Sequence, residues 1–253
     1  MNVPIITIDG PVASGKGTVA RAVAEALGFH LLDSGAIYRA HALACLNRDI
    51  KSNEIKSLIA IAQALSLKFS GDRIALDGHD VTTAVRTEAV GMMASTLSAI
   101  PEVRAALFDR QRAFAQPPGL VADGRDMGTV VFPEASLKLY LTASAPVRAA
   151  RRAGQVATAP PLRDQPAKQL IDKGIHANIH GSPEAVDVEL VRAIEAQIRQ
   201  RDVQDKSRPI APLRPAPEAL VIDNAAQRPS QTVAAVLALW RLRLASPSYR
   251  LQG

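Results

Sequence analysis

Glycines grouped around a lysine near the N-terminus form the clearest chemical pattern in this 253-residue chain. They follow a short apolar run that ends at Ile8, and they precede an alanine-rich stretch of helical composition. Glycine lets consecutive backbone N–H groups turn inward, and the start of a following helix adds partial positive charge. The pattern therefore predicts a phosphate-binding loop, which comprises Gly10, Pro11, Val12, Ala13, Ser14, Gly15, Lys16, Gly17 and Thr18.

The lysine of this loop is predicted to reach the terminal phosphates of a nucleotide as a point charge. The strict form of the motif has Ser or Thr directly after the lysine, whereas this chain has Gly17 there and Thr18 one position later. Because the hydroxyl that usually ligates Mg²⁺ is displaced, we expect the metal to be held mainly by the nucleotide and by water. Asp123 is a candidate for orienting such a water, and no residue is assigned as a direct metal ligand.

Three classes of P-loop protein compete for this pattern. A GTPase requires a guanine-reading Asn-Lys-x-Asp, which the chain lacks. A helicase-like or motor ATPase usually carries a strand ending in Asp-Glu, and no Asp-Glu dipeptide occurs. The third class, the small-molecule kinases, needs a second, anion-binding site that is rich in arginine.

Arginine and acidic residues do recur where strands are predicted to end, the edge at which open α/β sheets bind ligands. Ser34 and Arg39 follow the second predicted strand, and Arg125 and Asp126 follow the third. Ser34 or Asp33 can cap the helix that carries Arg39. A capped surface helix and a loop in which Arg125 pairs with Asp126 remain alternative interpretations. A solvated helix face is the alternative for Arg201, Asp205 and Arg208.

Composition limits the remaining possibilities. The formal net charge of +6 suits an anionic partner, but aromatic residues make up only 4% of the chain, fewer than a nucleic-acid surface that stacks bases would use. A single cysteine, Cys45, excludes a disulfide framework and a multi-cysteine zinc site. No apolar run approaches the roughly 20 residues of a membrane span, and no secretory signal pattern is present. We expect a soluble cytoplasmic protein that binds neither membranes nor nucleic acid.

Alternating strand-like and helix-like segments predict an α/β fold with a central parallel sheet flanked by helices. Predicted strands cover 3–8, 29–32, 120–122, 137–141 and 220–222, and predicted helices cover 17–27, 36–46, 55–65, 87–98, 102–115, 187–204 and 230–244. A hairpin pattern at 68–76 interrupts this rhythm and indicates a small inserted domain. The proline-containing stretch 154–185 is predicted to be a mobile flap.

Six segments together resemble the bacterial cytidylate kinases, a family of P-loop nucleoside monophosphate kinases. They are Ile8-Asp-Gly-Pro11, Ser14-Gly-Lys-Gly-Thr18, Leu32-Asp-Ser-Gly-Ala-Ile-Tyr-Arg39, Arg104 to Phe114, Gly124-Arg-Asp-Met-Gly-Thr-Val-Val-Phe-Pro133 and Arg208-Pro-Ile-Ala-Pro-Leu213, in family order. The resemblance implies phosphorylation of CMP and dCMP by ATP, and a monomer. It also implies a CORE domain (1–50, 96–150 and 205–245), a monophosphate-binding insert (51–95), a lid (151–204) and a flexible tail (246–253).

By position, the resemblance implies a CMP site made of Ser34, Arg39, Ser95, Arg104, Arg125, Asp126, Arg201, Asp205 and Arg208. Lys16, Arg125 and a lid arginine are expected to stabilise the transferred phosphoryl group, with Arg152 assigned and Arg151 the alternative. The stretch between Arg152 and Arg201 is longer than the lid region of that family, which leaves this assignment open. Another small-molecule P-loop kinase, for shikimate or a different monophosphate, and a basic P-loop protein that binds nucleic acid remain the alternatives.

Overall fold

The computed structural model describes the backbone of residues 3–158 and 188–246. Its main sheet has five strands, all parallel, in the order β2-β6-β1-β7-β8. These strands are β1 (Ile5–Asp9), β2 (His30–Asp33), β6 (Leu120–Gly124), β7 (Leu137–Thr142) and β8 (Leu220–Asp223). The central position of β1 explains its composition, since a strand covered by helices on both faces reads as a continuous apolar run.

Eight α-helices occur in the described ranges; six of them enclose two apolar layers with the sheet, and the other two pack in a third, smaller cluster. The eight helices are α1 (Lys16–Leu27), α2 (Ser34–Leu46), α3 (Ile55–Ala64), α4 (Glu88–Leu97), α5 (Pro101–Arg112), α6 (Ala145–Thr158), α7 (Val188–Ser207) and α8 (Pro229–Ala245). Alternate residues of one strand enter opposite layers: Leu120 packs with Ile37 and Leu107, whereas Val121 packs in the layer that contains Trp240. The strands that carry the site residues are therefore held from both sides.

A second, smaller sheet lies between α3 and α4. It is antiparallel and has three strands, β3 (Leu67–Ser70), β4 (Arg73–Leu76) and β5 (His79–Asp80). Its two tight turns contain Gly71 at φ 58° and Gly78 at φ 83°, the left-handed backbone conformation that glycine adopts without strain. The hairpin predicted at 68–76 is confirmed.

The α/β class with a central parallel sheet is confirmed, and two local predictions need correction. A helix over 145–158 was missed, because its regular arginines and alanines lie next to the proline-containing stretch. The predicted flap at 154–185 is wrong at its start, since α6 continues to Thr158. The remainder of that prediction falls on residues 159–185, which lie outside the described residues, as do 247–253 of the predicted tail. No described helix is both long enough and apolar enough to cross a membrane.

The register of the strands brings acidic side chains to one edge of the main sheet. Asp33 at the end of β2 and Ile8 of β1 both pair with Asp123 of β6, and Asp9 pairs with Gly124. Parallel strands place all these carboxyl ends at the same edge. The phosphate loop and the loop that contains Arg125 and Asp126 start there.

Candidate active site

The phosphate loop connects β1 to α1 and contains three residues with positive φ: Gly10 at 155°, Ala13 at 58° and Gly15 at 85°. Gly10 is also packed against the neighbouring strand, because a Cβ at this position would lie 2.2 Å from the carbonyl oxygen of Leu141. Only glycine permits that approach, which is why the loop can begin directly at the end of β1. Gly15 caps the N-terminus of α1, where the first backbone N–H groups are free to bind phosphate oxygens.

Lys16 lies buried at the base of this loop. Its Nζ donates to the carbonyl oxygen of Pro11 at 3.2 Å. Burial and the neighbouring Arg125 guanidinium lower the pKa of Lys16 to about 8, against the opposing effect of Asp123. The neighbouring carboxylates therefore do not fully compensate the charge of the buried ammonium. A bound polyphosphate would supply the missing negative charge.

The residue after the lysine lies directly against Asp123. A Cβ at Gly17 would be 3.0 Å from Oδ2 of Asp123, so a serine or threonine here would crowd that carboxylate. Oδ1 of Asp123 is buried without a hydrogen-bond partner, and burial raises the pKa of this carboxyl to about 7. A buried, unpartnered carboxylate oxygen fits a water bound to Mg²⁺, since Mg²⁺ keeps several waters and prefers oxygen ligands. Within the described ranges no group of three His, Cys, Asp or Glu side chains converges on a metal position.

Next to the phosphate loop is a polar cleft of about 100 Å³ between the sheet edge, α2, α4 and α7. All nine residues predicted for the CMP site line it. These are Ser34, Arg39, Ser95, Arg104, Arg125, Asp126, Arg201, Asp205 and Arg208. Tyr38 and Ser98 line it too, and sequence reasoning had assigned neither of them.

One end of the cleft is strongly cationic. Arg39 of α2 and Arg201 of α7 both approach Gly91 of α4, where an added Cβ would lie 2.8 and 3.1 Å from their Nη2 atoms. Burial, Arg201 and Arg152 lower the pKa of Arg39 to about 10, while Glu88 opposes them. Three guanidinium groups near one carboxylate leave a surplus of positive charge that suits a phosphate. The sequence alone did not indicate a role for Gly91. Its lack of a side chain matters only because α2 and α7 bring their arginines against this position of α4.

The middle of the cleft contains a chain of alternating charges. Asp205 of α7 accepts a hydrogen bond from Nε of Arg125 at 2.9 Å and forms an ion pair with Arg208. Although burial opposes ionisation, these two arginines lower the pKa of Asp205. Arg125 is therefore held between Asp205 and Lys16, and it lines the cleft.

Arg125 and Asp126 each pair with a different helix. Asp126 forms a buried ion pair with Arg104 of α5, whereas Arg125 turns to Asp205. The alternative of a loop closed by an Arg125–Asp126 pair is therefore wrong. Asp9, at the end of β1, stabilises this loop, because its two carboxylate oxygens accept hydrogen bonds from the backbone N–H groups of Met127 and Gly128 at 2.9 and 2.8 Å.

At the start of α2 the two capping candidates have separate roles. Oδ1 of Asp33 accepts from the backbone N–H of Ala36 at 2.9 Å and caps the helix. Ser34 faces the cleft instead, and its Oγ lies 2.9 Å from Oε1 of Gln111 on α5. Gln111 belongs to a segment that resembled the family, but nothing in its position along the chain indicated this contact.

Three arginines of α6 approach the two sites differently. Arg152 lies 4.0 Å from Glu88, which also pairs with Arg201 of the cleft, whereas Arg151 donates to Asn224 and reaches the carbonyl oxygen of Ser14 at 3.5 Å. Arg148, which sequence reasoning missed, is buried, contacts the carbonyl oxygen of Val12 and pairs with Asp202. Ser95 makes a longer contact, 3.4 Å, to Gln204.

The order of the parallel sheet, the phosphate loop after its central strand and the arginine-lined cleft beside that loop define a P-loop kinase of the nucleoside monophosphate kinase fold. The sequence model of the cytidylate kinase family matches residues 6–173 and 181–242. A cytidylate kinase of Bordetella bronchiseptica is 49% identical over 238 residues, covering 94% of this chain and 95% of the relative. One of Ralstonia pickettii is 47% identical over 241 residues, covering 95% and 93%. The chain belongs to the cytidylate kinase family, as its motifs predicted.

Proposed function

We propose that this protein transfers the terminal phosphoryl group of ATP to CMP or dCMP, yielding ADP and CDP or dCDP. The observation that carries the proposal is the position of Arg125. It is close enough to Lys16 of the phosphate loop to lower the pKa of that lysine, and it is bonded to Asp205 of the cleft. One guanidinium therefore adjoins both a donor site and an acceptor site, as direct transfer between two phosphates requires.

The chemistry needs alignment and charge neutralisation more than proton transfer. The nucleophile is a phosphate oxygen of CMP, and with a second phosphate pKa near 6 this group is already largely ionised at pH 7. No general base is required, in contrast to a kinase that acts on an alcohol. Arg39 and Arg201 hold the acceptor phosphate, while Lys16, Arg125 and Arg152 stabilise the charge that spreads over the transferred group.

When bound together with ATP, Mg²⁺ would supply positive charge that neutralises part of the charge on the phosphates. Asp123 is the residue placed to hold a water of its coordination shell, because its unpartnered Oδ1 and the space left by Gly17 adjoin Lys16. Loss of the usual hydroxyl at position 17 is thus compatible with a metal held by nucleotide and water.

The small size of the cleft supports a proposal of domain movement. Its volume of about 100 Å³ is below the several hundred that ligand sites of nucleotide size occupy, and its arginines bond across it to Glu88, Asp205 and backbone oxygens. We propose that the insert (51–95) and the lid (151–204, of which the structure describes 151–158 and 188–204) move relative to the CORE domain (1–50, 96–150 and 205–245) when the nucleotides enter. Two of these boundaries, 151 and 204, fall inside α6 and α7.

We further propose a cytoplasmic monomer without affinity for nucleic acid. Seven of the arginines behind the surplus positive charge lie at or near the two nucleotide sites: Arg39, Arg104, Arg125, Arg201 and Arg208 line the cleft, Arg152 lies close to Glu88, and Arg151 contacts the phosphate loop. Light scattering coupled to gel filtration tests the monomer, and an electrophoretic shift assay with single- and double-stranded DNA and RNA tests the absence of nucleic-acid binding.

The activity is tested by offering ATP with CMP, dCMP, UMP, AMP or shikimate in a coupled assay that detects ADP release. We expect the highest kcat/KM with CMP, with dCMP next. A higher value with AMP or shikimate would reassign the protein to another small-molecule kinase. ATP hydrolysis that is stimulated by nucleic acid and unaffected by every acceptor would overturn the kinase assignment.

A further inference from the structure

Gln111 occupies a buried position between the cleft and the core that the mechanism above does not use. Only 2% of its surface is exposed, and it lies on α5 two turns after Arg104, on the same side of the helix. Its side chain lies beside the Tyr38 hydroxyl and makes two further contacts. Nε2 donates to the carbonyl oxygen of Leu107 at 3.3 Å, and Oε1 lies 2.9 Å from Oγ of Ser34.

These two contacts determine the orientation of the amide. The Leu107 carbonyl can only accept a hydrogen bond, so the NH₂ group of Gln111 must face it. A flipped amide would place two acceptors together. Oε1 of Gln111 therefore faces Ser34, and it too can only accept. The single hydroxyl proton of Ser34 must then point at Gln111, away from the cleft.

The direction of that proton decides what Ser34 offers to a ligand. With its proton committed, Ser34 presents only lone pairs to the cleft, and it is free to do so because Asp33 rather than Ser34 caps α2. Cytosine has an exocyclic amine, a donor, at the position where uracil has a carbonyl oxygen, an acceptor. A site whose hydroxyl can only accept bonds the amine and leaves the carbonyl opposite an unsatisfied lone pair.

We infer that Gln111 is a positioning residue for base selection: it holds the Ser34 hydroxyl as an obligate acceptor and thereby favours a pyrimidine with an exocyclic amine over one with a carbonyl. This inference rests on the proposed function, because it assigns the base of the acceptor nucleotide to the Ser34 end of the cleft. Arg104 and Asp126 bound the same cleft, so the base would be read from two sides.

The test compares kcat/KM for CMP and UMP in wild type and in Gln111→Met, which keeps the volume but removes the acceptor. The freed Ser34 proton can then turn into the cleft, and we expect the CMP-over-UMP preference to fall by about 10-fold. Gln111→Glu keeps an acceptor toward Ser34, since its buried carboxyl can donate to Leu107 in the protonated form, and should retain most of the preference. Gln116→Met, at an exposed glutamine bonded to Ala113, is the matched control and should behave as wild type.

A double-mutant cycle separates this role from a merely structural one. If Gln111 acts through Ser34, Gln111→Met should not change the CMP/UMP ratio further in a Ser34→Ala background. An equal loss of activity on both nucleotides, or a change of ratio that persists without the Ser34 hydroxyl, would overturn the inference. Where Gln111→Met does not fold, Gln111→Asn, whose shorter amide cannot reach Ser34, makes the same prediction.

Calorimetric binding of CMP and UMP in the absence of ATP keeps this inference distinct from the proposed function. A protein that binds CMP in preference to UMP, loses that preference in Gln111→Met and yet fails to phosphorylate CMP would refute the kinase activity and support the role of Gln111. A wild-type protein that binds both nucleotides equally would refute the role of Gln111 whatever its activity.

Discussion

Arg104 and Asp126 form an ion pair that is buried between α5 and the loop after β6, and both side chains line the cleft. Arg104 is only 9% exposed and Asp126 4%. Neither charge can be removed without leaving the other buried and unpaired, which is costly. The pair thus presents to the cleft a fixed arrangement of one carboxylate and one guanidinium.

The first prediction concerns base choice at this pair. The carboxylate of Asp126 accepts from an exocyclic amine and repels a carbonyl oxygen. We expect Asp126→Asn to lower kcat/KM for CMP sharply and to narrow the CMP-over-UMP preference by about 10-fold, or roughly 1.4 kcal/mol. Steady-state kinetics with both nucleotides measures this, with Asp109→Asn on the exposed face of α5 as the control. An unchanged ratio would assign base recognition to other residues, most directly Arg104 and Ser34.

The second prediction concerns Lys16. Replacing this buried ammonium by Lys16→Met removes a clamp on the transferred phosphates, and we expect kcat to fall by about 100-fold or more. CMP affinity, measured by calorimetry without ATP, should stay near the wild-type value because the acceptor cleft is separate. The control is Lys56→Met, at an exposed lysine of α3. More than about a tenth of wild-type kcat in Lys16→Met would contradict the assignment of the phosphate loop.

The third prediction concerns Gly91, against which the guanidinium groups of Arg39 and Arg201 pack. Alanine is favoured over glycine by about 1 kcal/mol at exposed helix positions, but Gly91 is buried and the displaced arginines would lose hydrogen bonds to backbone oxygens, so Gly91→Ala should not raise the free energy of unfolding. The added methyl group would displace the ends of Arg39 and Arg201, and we expect KM for CMP to rise by about 10-fold. Urea unfolding and steady-state kinetics measure the two effects. Gly154→Ala in α6, whose Cβ would meet no atom within 4 Å, should stabilise without changing KM.

The fourth prediction concerns pH and Asp9. Burial raises the pKa of Asp9 from 3.8 to about 6, although the N–H groups of Gly128 and Met127 oppose it. Protonation removes one of the two acceptors that hold the loop of Arg125 and Asp126. We therefore expect kcat/KM to fall as pH is lowered through about 6. Asp9→Asn should have a lower kcat/KM than wild type at pH 7.5 and should not show the fall of kcat/KM that comes from protonation of Asp9. The fall that comes from protonation of the CMP phosphate should be the same in both proteins.

The free energy of unfolding should depend on Asp9 in the opposite sense: activity falls as pH is lowered, whereas the contribution of Asp9 to stability falls as pH is raised. Because the folded protein binds the Asp9 proton more tightly than the unfolded chain, its contribution is fully present below pH 4 and is lost as pH rises through 6. The advantage of wild type over Asp9→Asn in urea unfolding should shrink between pH 4.5 and 7, by on the order of 3 kcal/mol at most. An advantage that grows with pH would show that the ionised form is the stabilising one.

The fifth prediction separates the two neighbouring arginines of α6. Arg152 lies near Glu88, the carboxylate that also pairs with Arg201 of the cleft, so Arg152→Ala should lower kcat about 10-fold or more with little effect on either KM. Arg151 bonds to Asn224 and to the phosphate-loop backbone, so Arg151→Ala should raise KM for ATP and lower the melting temperature. The reverse pattern would make Arg151 the arginine that stabilises the transferred group.

The sequence by itself was sufficient to predict the phosphate loop, the parallel α/β class, the family and the set of residues that line the cleft. The phosphate loop and the α/β class depend on short-range rules, whereas the set of cleft residues was implied by the resemblance of the motifs to a known family. A glycine-rich turn needs particular residues at adjacent positions, and buried parallel strands need continuous apolar runs. The exact ends of the strands were predicted less accurately. The strand predicted at 120–122 extends two residues further, to Gly124.

Only the tertiary structure determined which side chains form ion pairs and hydrogen bonds with each other. Arg125 pairs with Asp205, eighty residues away, rather than with its neighbour Asp126, and Gln111 meets Ser34 across 77 positions. Gly91 is important only because α2, α4 and α7 converge on it, and Asn224 reaches the phosphate loop from the far end of the chain. Side-chain partners depend on how distant elements pack, and no local propensity encodes the direction of a guanidinium group or a hydroxyl proton.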